Sequence, residues 1–192
     1  MKLNLPNKLT VLRMFMVPVF MIVLLLPIDG IWPAVIGCAI FILTSLTDML
    51  DGMIARRCNM ITDFGKFLDP LADKFLIFGA MLAILCKYDD IRPVFVWVAT
   101  IVILRELAVT SIRLVANQKA GAVVAANWLG KIKTVSQMLA VIVILLEDVL
   151  CPPDIAAMNI FSYIMMALMT LFTIWSGVNY IRGMWKYLDP EK

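Results

Sequence analysis

Six long apolar runs dominate this chain and limit what it can fold into. A helix across a bilayer core of about 30 Å takes about 20 apolar residues, and most of these runs approach that length. Hydrophobic residues make up 62% of the chain and the mean hydropathy is +0.94, far above that of water-soluble proteins. We therefore predict an all-α integral membrane protein, a single domain over residues 1–192, with transmembrane helices near residues 10–27, 31–55, 68–85, 93–114, 135–149 and 155–181.

The distribution of basic residues predicts how these helices are oriented. The loops predicted on one side of the membrane contain only two basic residues, Lys87 and Arg92, but six acidic residues. Most of the other basic residues fall on the opposite side. Positively charged loops stay in the cytoplasm, so both termini are predicted to be cytoplasmic. The first run lacks a small-residue cleavage site and is expected to be retained as a helix. The basic residues assigned to the cytoplasmic side are Lys2, Lys8, Arg56, Arg57, Lys66, Arg113, Lys119, Lys131, Lys133, Arg182, Lys186 and Lys192.

Composition excludes several classes of function. The chain has no histidine, which removes histidine-based catalysis and histidine-ligated metal sites. The net charge of +3 is too small to indicate a nucleic-acid partner. The four cysteines, without a C-x-x-C pair, are interpreted as small apolar packing residues. Carboxylates are then the main candidates for chemistry.

Two pairs of aspartates interrupt the apolar pattern. Asp48 and Asp51 are three residues apart, and Asp69 and Asp73 are four apart. If each pair lies on a helix, its two carboxylates share one face. Four carboxylates in an apolar setting are costly to ionise unless divalent cations neutralise them, and all-oxygen ligands suit Mg²⁺, Mn²⁺ or Ca²⁺. The pattern predicts a divalent metal site.

Pro70 leaves the start of the third helix open. It can lie in the first turn of a helix that Asp69 caps, or inside a helix that begins near Asp63 and that it kinks. The two possibilities give Asp69 different directions.

Small and basic residues surround the aspartates. Gly52 and Ala55 near the first pair, and Gly65 before the second, allow a ligand or a helix to approach the backbone closely. Arg56 and Arg57 end the second apolar run, where they can bind a phosphate or complement the helix dipole. The pattern predicts a metal site beside an anion. The alternative is a set of interfacial acids, salt-bridged to neighbouring basic residues.

A second group of charged residues predicts a phosphate-binding pocket. Arg105 and Glu106 interrupt the fourth apolar run, where an unpaired charge is expensive and is a functional candidate by default. Arg113 lies about two turns further on and can share the face of Arg105. Lys131 and Lys133 open the fifth run on the same side. Together the four basic residues can form a pocket near the carboxylates. The alternative is an ion pair of Arg105 and Glu106, with each other or with another helix.

The spacing of these residues resembles the signature of a known family. All fixed positions of Asp48-x2-Asp51-Gly52-x2-Ala55-Arg56-x8-Gly65-x3-Asp69-x3-Asp73 match the CDP-alcohol phosphotransferase family of integral membrane enzymes. Residues 4–13, 67–74, 105–106, 111–113 and 130–134 also resemble its phosphatidylglycerophosphate synthase branch. The likeness covers nearly the whole chain.

The resemblance implies the fold of that family and a reaction. A phosphatidyl group would pass from CDP-diacylglycerol to sn-glycerol 3-phosphate, giving phosphatidylglycerophosphate and CMP in anionic phospholipid biosynthesis. It implies a homodimer among the lipids of a bacterial cell membrane, and a divalent metal, Mg²⁺ or Mn²⁺, as two ions. The distribution of basic residues described above predicts that the active site, like the termini, faces the cytoplasm. The implied metal ligands are Asp48, Asp51, Asp69 and Asp73, and Asp73 is also the implied catalytic base. The implied nucleotide-binding residues are Asp48, Gly52, Ala55, Arg56 and Gly65. The residues implied for binding the acceptor phosphate are Arg105, Arg113, Lys131 and Lys133.

Other functions stay open at this point. The same carboxylates can serve an enzyme of this family with another acceptor, such as inositol phosphate or serine. A cation transporter also places carboxylates in a membrane, but it would distribute them across the membrane depth, whereas these cluster near one face. A non-catalytic membrane scaffold has no need of the aspartates.

Overall fold

Six long helices account for most of the structure, a computed structural model. It describes residues 4–57, 63–120, 128–152, 156 and 158–185, with the backbone alone at 5–6, 48–57, 63–64, 66–67, 69 and 116–120. No strand occurs within these ranges, which confirms the all-α prediction. The helices are α1 (Leu5–Leu25), α2 (Trp32–Arg57), α3 (Asp63–Lys87), α4 (Arg92–Ala120), α5 (Trp128–Leu150) and α6 (Ile160–Met184).

The apolar character of these helices confirms an integral membrane protein. Four of them, α1, α4, α5 and α6, are each long and apolar enough to cross a membrane. In α2 the apolar part is the shorter segment Trp32–Thr47, and the first aspartate pair follows it. The second pair lies in the first part of α3. The acidic pairs thus lie on α2 and α3, the two helices outside this group of four over the described residues.

Four helices begin five or more residues away from the starts that the apolar runs indicate, and the first of them is α1, which begins at Leu5 rather than near residue 10. α3 begins at Asp63, so Pro70 lies inside the helix rather than in its first turn. α5 begins at Trp128, seven residues before the predicted start, because its first two turns are helical but polar. α6 begins at Ile160, later than predicted, after Asn159 in a left-handed conformation with φ 49°. Hydropathy marks the part of a helix that lies in lipid, and a helix continues beyond that part.

The helices pack into two groups that share α3, and α2 of the first group also contacts α5 of the second. α1 packs on α2 and α3, and a Cβ at Gly79 of α3 would collide with Val17 of α1. Small residues permit such close packing of helices in lipid, where dispersion rather than the hydrophobic effect holds helices together. α6 packs on α4 and α5, and α3 contacts both α4 and α5. The second group, α3 to α6, surrounds the cavity described next.

Candidate active site

A cavity of about 780 Å³ lies where α3 and α5 begin and α4 and α6 end. The alternating direction of successive helices brings these four ends to one side of the bundle. The volume falls in the range of about 300–1,000 Å³ that small-molecule sites occupy. The polar and charged residues that line it are Asp73 and Lys74 of α3; Arg105, Glu106, Thr110 and Arg113 of α4; Lys131, Lys133, Thr134 and Gln137 of α5; and Ser176 and Tyr180 of α6.

Glu106 joins two cations from different helices in the inner part of this cavity. Its Oε1 accepts hydrogen bonds from Arg105 Nη1 at 3.0 Å and from the Nζ of Lys133 on α5. Only 13%, 14% and 7% of the Arg105, Glu106 and Lys133 side chains are exposed. Each buried cation is thus paired with the Glu106 carboxylate, which offsets the cost of burying its charge. The sequence left open that Arg105 and Glu106 form an ion pair instead of a binding site. Glu106 does form ion pairs, with Arg105 in α4 and with Lys133 in α5, and all three residues also line the cavity.

Two further cations lie at the exposed part of the cavity, each beside an aromatic ring. Arg113 Nε donates to Tyr180 Oη at 3.3 Å, and its guanidinium lies 5.6 Å from the centre of that ring. Lys131 Nζ lies 5.8 Å from the centre of the Trp128 ring. Rings at these distances attract cations. The structure therefore brings all four residues predicted for the acceptor phosphate to one cavity.

Asp73 faces the same cavity and is held by an arginine from α1. Arg13 Nη1 donates to Asp73 Oδ1 at 2.8 Å. The Arg13 side chain is 1% exposed, whereas that of Asp73 is 55% exposed. A rigid, buried guanidinium thus orients a carboxylate that remains accessible from the cavity.

The other three aspartates are described by their backbone. Asp48 and Asp51 lie in α2, and Asp69 lies in α3 with Asp73, so each pair occupies same-face positions of one helix, as the metal prediction requires. Their side chains are outside the described part of the chain. Among the side chains that the structure does describe, no group of three acidic, histidine or cysteine residues comes together. The metal site thus stays a prediction.

The predicted nucleotide-binding residues lie on the same two helices. Gly65 is buried in the first turn of α3. Gly52, Ala55 and Arg56 lie in the last turns of α2, with side-chain positions outside the described residues. Their contact with a nucleotide is a prediction that the structure does not test.

The structure adds site residues that the sequence did not single out. Arg13 interrupts an apolar run just as Arg105 does, so the same rule could have found it. Ser176, Gly177 and Tyr180 contact the arginines of α4. Small and aromatic residues on an apolar helix usually serve packing, so no sequence signal marked these three.

Comparison with known proteins shows similarity along almost the whole chain. The family model for CDP-alcohol phosphatidyltransferase matches residues 3–175. A Bacillus subtilis protein named CDP-diacylglycerol–glycerol-3-phosphate 3-phosphatidyltransferase is 41% identical over 200 residues, covering 98% of each chain. A Yersinia enterocolitica protein of the same name is 32% identical over 196 residues, covering 99% of this chain and 100% of the relative. A Mycobacterium tuberculosis protein named probable phosphatidylglycerophosphate synthase is 37% identical over 180 residues, covering 93% of this chain and 80% of the relative.

Proposed function

The chain belongs to the CDP-alcohol phosphatidyltransferase family, and on that premise we propose that it transfers the phosphatidyl group of CDP-diacylglycerol to sn-glycerol 3-phosphate. The products are phosphatidylglycerophosphate and CMP. Relatives named for this reaction match the chain over nearly its full length. The observation that carries the assignment is the cavity that combines one exposed aspartate with five basic side chains at one end of a membrane-embedded bundle.

The charge of the cavity suits a phosphorylated acceptor. Its described lining contains five basic side chains, Lys74 and the four predicted phosphate ligands, against the two acids Asp73 and Glu106, a surplus of three positive charges. A phosphate monoester carries about −1.5 to −2 charges at neutral pH. An uncharged polyol would leave these cations without an anion, so the cavity favours glycerol 3-phosphate over glycerol.

Asp73 is the residue we assign to proton transfer. It accepts the proton of the acceptor hydroxyl, whose oxygen bonds to the phosphorus of the phosphatidyl group while the bond from that phosphorus to CMP breaks. Arg13 holds Oδ1 of Asp73 and thereby fixes the direction of the carboxylate. A base within hydrogen-bond reach of the acceptor contributes about 10²–10⁴ in rate. The cavity offers this reach because Asp73 and the basic residues line the same space.

Divalent metal ions fit the remaining acids. We propose that Asp48, Asp51, Asp69 and Asp73 hold two ions, Mg²⁺ or Mn²⁺, since same-face carboxylate pairs supply the all-oxygen ligands that these ions prefer. When bound, the ions stabilise the negative charge of a diphosphate and of its leaving group. Chelation with EDTA is expected to abolish CMP release, and added Mg²⁺ or Mn²⁺ to restore it. Full activity in EDTA would contradict the metal assignment.

The nucleotide is assigned to α2 and to the first turns of α3, next to the proposed metal ligands. Asp48, Gly52, Ala55, Arg56 and Gly65 follow one another along these two helices, beside the proposed metal ligands. The acyl chains of CDP-diacylglycerol can stay in the bilayer while its headgroup enters from the side, which avoids extracting the lipid.

The setting of the enzyme follows from its charge pattern and its family. It is an integral protein of a bacterial membrane, and we propose that both termini and the cavity face the cytoplasm, where glycerol 3-phosphate is dissolved. The family resemblance supports a homodimer. Cross-linking of the protein in membranes tests the dimer, and cysteine accessibility from either side tests the orientation.

A panel of acceptors tests the assigned reaction. Purified protein in lipid-detergent micelles is given CDP-diacylglycerol with glycerol 3-phosphate, inositol phosphate, serine or glycerol, with and without Mg²⁺ or Mn²⁺, and CMP release is followed. We expect turnover with glycerol 3-phosphate to exceed that with every other acceptor. Equal turnover with inositol phosphate or serine would refute the choice of acceptor.

A further inference from the structure

Arg105 is held at the cavity wall by contacts to two helices. Its Nη1 donates to Glu106 Oε1 at 3.0 Å, and its Nη2 donates to Ser176 Oγ of α6 at 2.9 Å. With 13% of its side chain exposed, Arg105 has little room for other rotamers. Its position is therefore set by α4 and α6 together.

A glycine on α6 makes space for the aliphatic part of this arginine. A Cβ built on Gly177 would lie 3.1 Å from Arg105 Cγ and 3.8 Å from its Nε. Carbon atoms prefer separations of about 3.5–4.0 Å. Any side chain at position 177 would push Arg105 away from α6.

Ser176 is oriented to receive the guanidinium. Its Oγ donates to the carbonyl oxygen of Thr173 at 3.3 Å, which leaves a lone pair of the hydroxyl for Arg105. The serine is 4% exposed, so water does not compete freely for this bond. A hydrogen bond to a charged group is stronger than one between neutral groups.

Hydrogen bonding alone does not explain where Arg105 lies. Its Nε is buried without a hydrogen-bond partner among the described residues. A buried donor left without a partner is unfavourable and is rare in folded proteins. The surroundings thus impose a position on Arg105 that its own hydrogen bonding does not favour.

We propose that Glu106, Ser176 and Gly177 are positioning residues, which fix Arg105 at the cavity wall and so set the affinity for the acceptor phosphate. The inference rests on the reaction proposed above and adds to it three residues that act through Arg105. A guanidinium held in one place can offer its donors to a phosphate without losing conformational entropy on binding. The effect is expected in acceptor binding rather than in the chemical step.

Two substitutions on α6 give a matched test. Gly177→Ala adds the methyl group that meets Arg105, whereas Gly183→Ala adds the same group on the same helix with no atom within 4 Å. Because Arg105 has to shift by a few tenths of an ångström to admit the methyl group, we expect Gly177→Ala to raise the KM for glycerol 3-phosphate about threefold to tenfold, equivalent to a loss of about 0.7–1.4 kcal/mol of binding free energy. Its kcat and its KM for CDP-diacylglycerol should stay within about twofold of the wild type, since only acceptor binding is affected. Gly183→Ala should match the wild type in all three constants.

Ser176→Ala provides a second variant that removes only a hydroxyl. We expect the same pattern, with the KM for glycerol 3-phosphate raised about threefold to tenfold, because one bond to a charged group is lost. Ser176→Thr, which keeps the hydroxyl, should recover most of the affinity. Melting temperatures in detergent are measured for each variant, and if Gly177→Ala does not fold, the two Ser176 variants decide.

The results separate this inference from the proposed function. If the wild type is active and both Gly177→Ala and Ser176→Ala have the same KM for glycerol 3-phosphate as Gly183→Ala, the positioning role is wrong and the proposed function is unaffected. Equal losses in kcat and in both KM values, with lowered melting temperatures, also overturn it, because they indicate a structural role. A wild type that releases no CMP with glycerol 3-phosphate overturns the proposed function, and this inference with it.

Discussion

Two inward-facing glutamates at opposite ends of the bundle are stabilised in different ways. Glu106, at the cavity, accepts hydrogen bonds from the charged side chains of Arg105 and Lys133. Glu147, about 20 Å further along α5 from Lys133, is 3% exposed and accepts the backbone N–H groups of Phe161 and Ser162 at 2.9 and 2.7 Å. The first carboxylate is balanced by two cationic side chains and the second by the start of a helix.

This difference separates a functional acid from a structural one. Glu147 also accepts the hydroxyl hydrogen of Ser162 and satisfies amide groups that a helix start leaves without partners. These bonds join the end of α5 to the start of α6 and need no ligand to complete them. The partners of Glu106 line a cavity, where an anion that enters can meet them. We therefore expect the same residue type to serve stability at one end and acceptor binding at the other.

The largest expected contrast between the two ends concerns their aspartates. Asp73→Asn removes the proposed base at the cavity and should lower kcat by about 10²–10⁴, the usual contribution of a general base. Asp89→Asn changes an exposed aspartate at the opposite end, where it pairs with Arg92, and should leave kcat within about twofold because exposed ion pairs contribute little. CMP release by purified variants measures both. Normal turnover by Asp73→Asn would break the comparison.

The two glutamates themselves give the next contrast. Glu106→Gln keeps the shape of the side chain but removes the charge between Arg105 and Lys133, which should then repel each other and move. We expect the KM for glycerol 3-phosphate to rise about 10- to 100-fold, the equivalent of one charge-assisted hydrogen bond. Steady-state CMP release at varied acceptor concentration measures this. An unchanged KM would show that Glu106 has no part in acceptor binding.

The matching change at the other end should affect stability instead. Glu147→Gln weakens the bonds to the start of α6 and should reduce the free energy of unfolding by about 1–3 kcal/mol. The KM values at 25 °C should equal those of the wild type. Thermal melting in detergent, with kinetics on the same sample, distinguishes the two effects. A raised KM without a lower melting temperature would reverse the roles assigned to the two ends.

The smallest contrast compares exposed lysines. Lys131→Ala removes an exposed cation that lies beside the Trp128 ring and should raise the KM for glycerol 3-phosphate only about twofold to fivefold. Lys87→Ala, an exposed lysine at the end of α3 away from the cavity, should change nothing. Kinetics at low and high salt check the assignment, since salt screens exposed charges. A larger effect from Lys87→Ala would contradict the placement of the acceptor.

The fold could be predicted from the sequence because a bilayer requires long apolar helices. The six runs correspond to the six long helices, and the errors lie at polar helix ends such as Trp128 and Asp63, which hydropathy does not register. Asn159, whose left-handed conformation precedes α6, gives no hydropathy signal. Lipid thus determines the middle of each helix, and local backbone contacts determine its ends.

The candidate site could be predicted in part. A charge within an apolar run is expensive and therefore conspicuous, which is why Arg105 was found. Helix spacing added Arg113, and the shared side of the membrane added Lys131 and Lys133; all four line one cavity. The pairing of Arg13 with Asp73, 60 residues apart, depends on how α1 packs against α3, which helical periodicity does not encode. The space that Gly177 leaves for the Arg105 side chain depends likewise on how α4 packs against α6.

The preference for a phosphorylated acceptor tests the central claim, that this cavity binds the acceptor phosphate. The measurement is the ratio of kcat/KM for glycerol 3-phosphate to that for glycerol, in the wild type and in Lys133→Met, which keeps the aliphatic bulk of the lysine and leaves Glu106 bonded to Arg105. We predict that the ratio falls at least about tenfold in the variant, because one cation no longer meets the phosphate. A ratio equal to that of the wild type would show that the phosphate binds elsewhere.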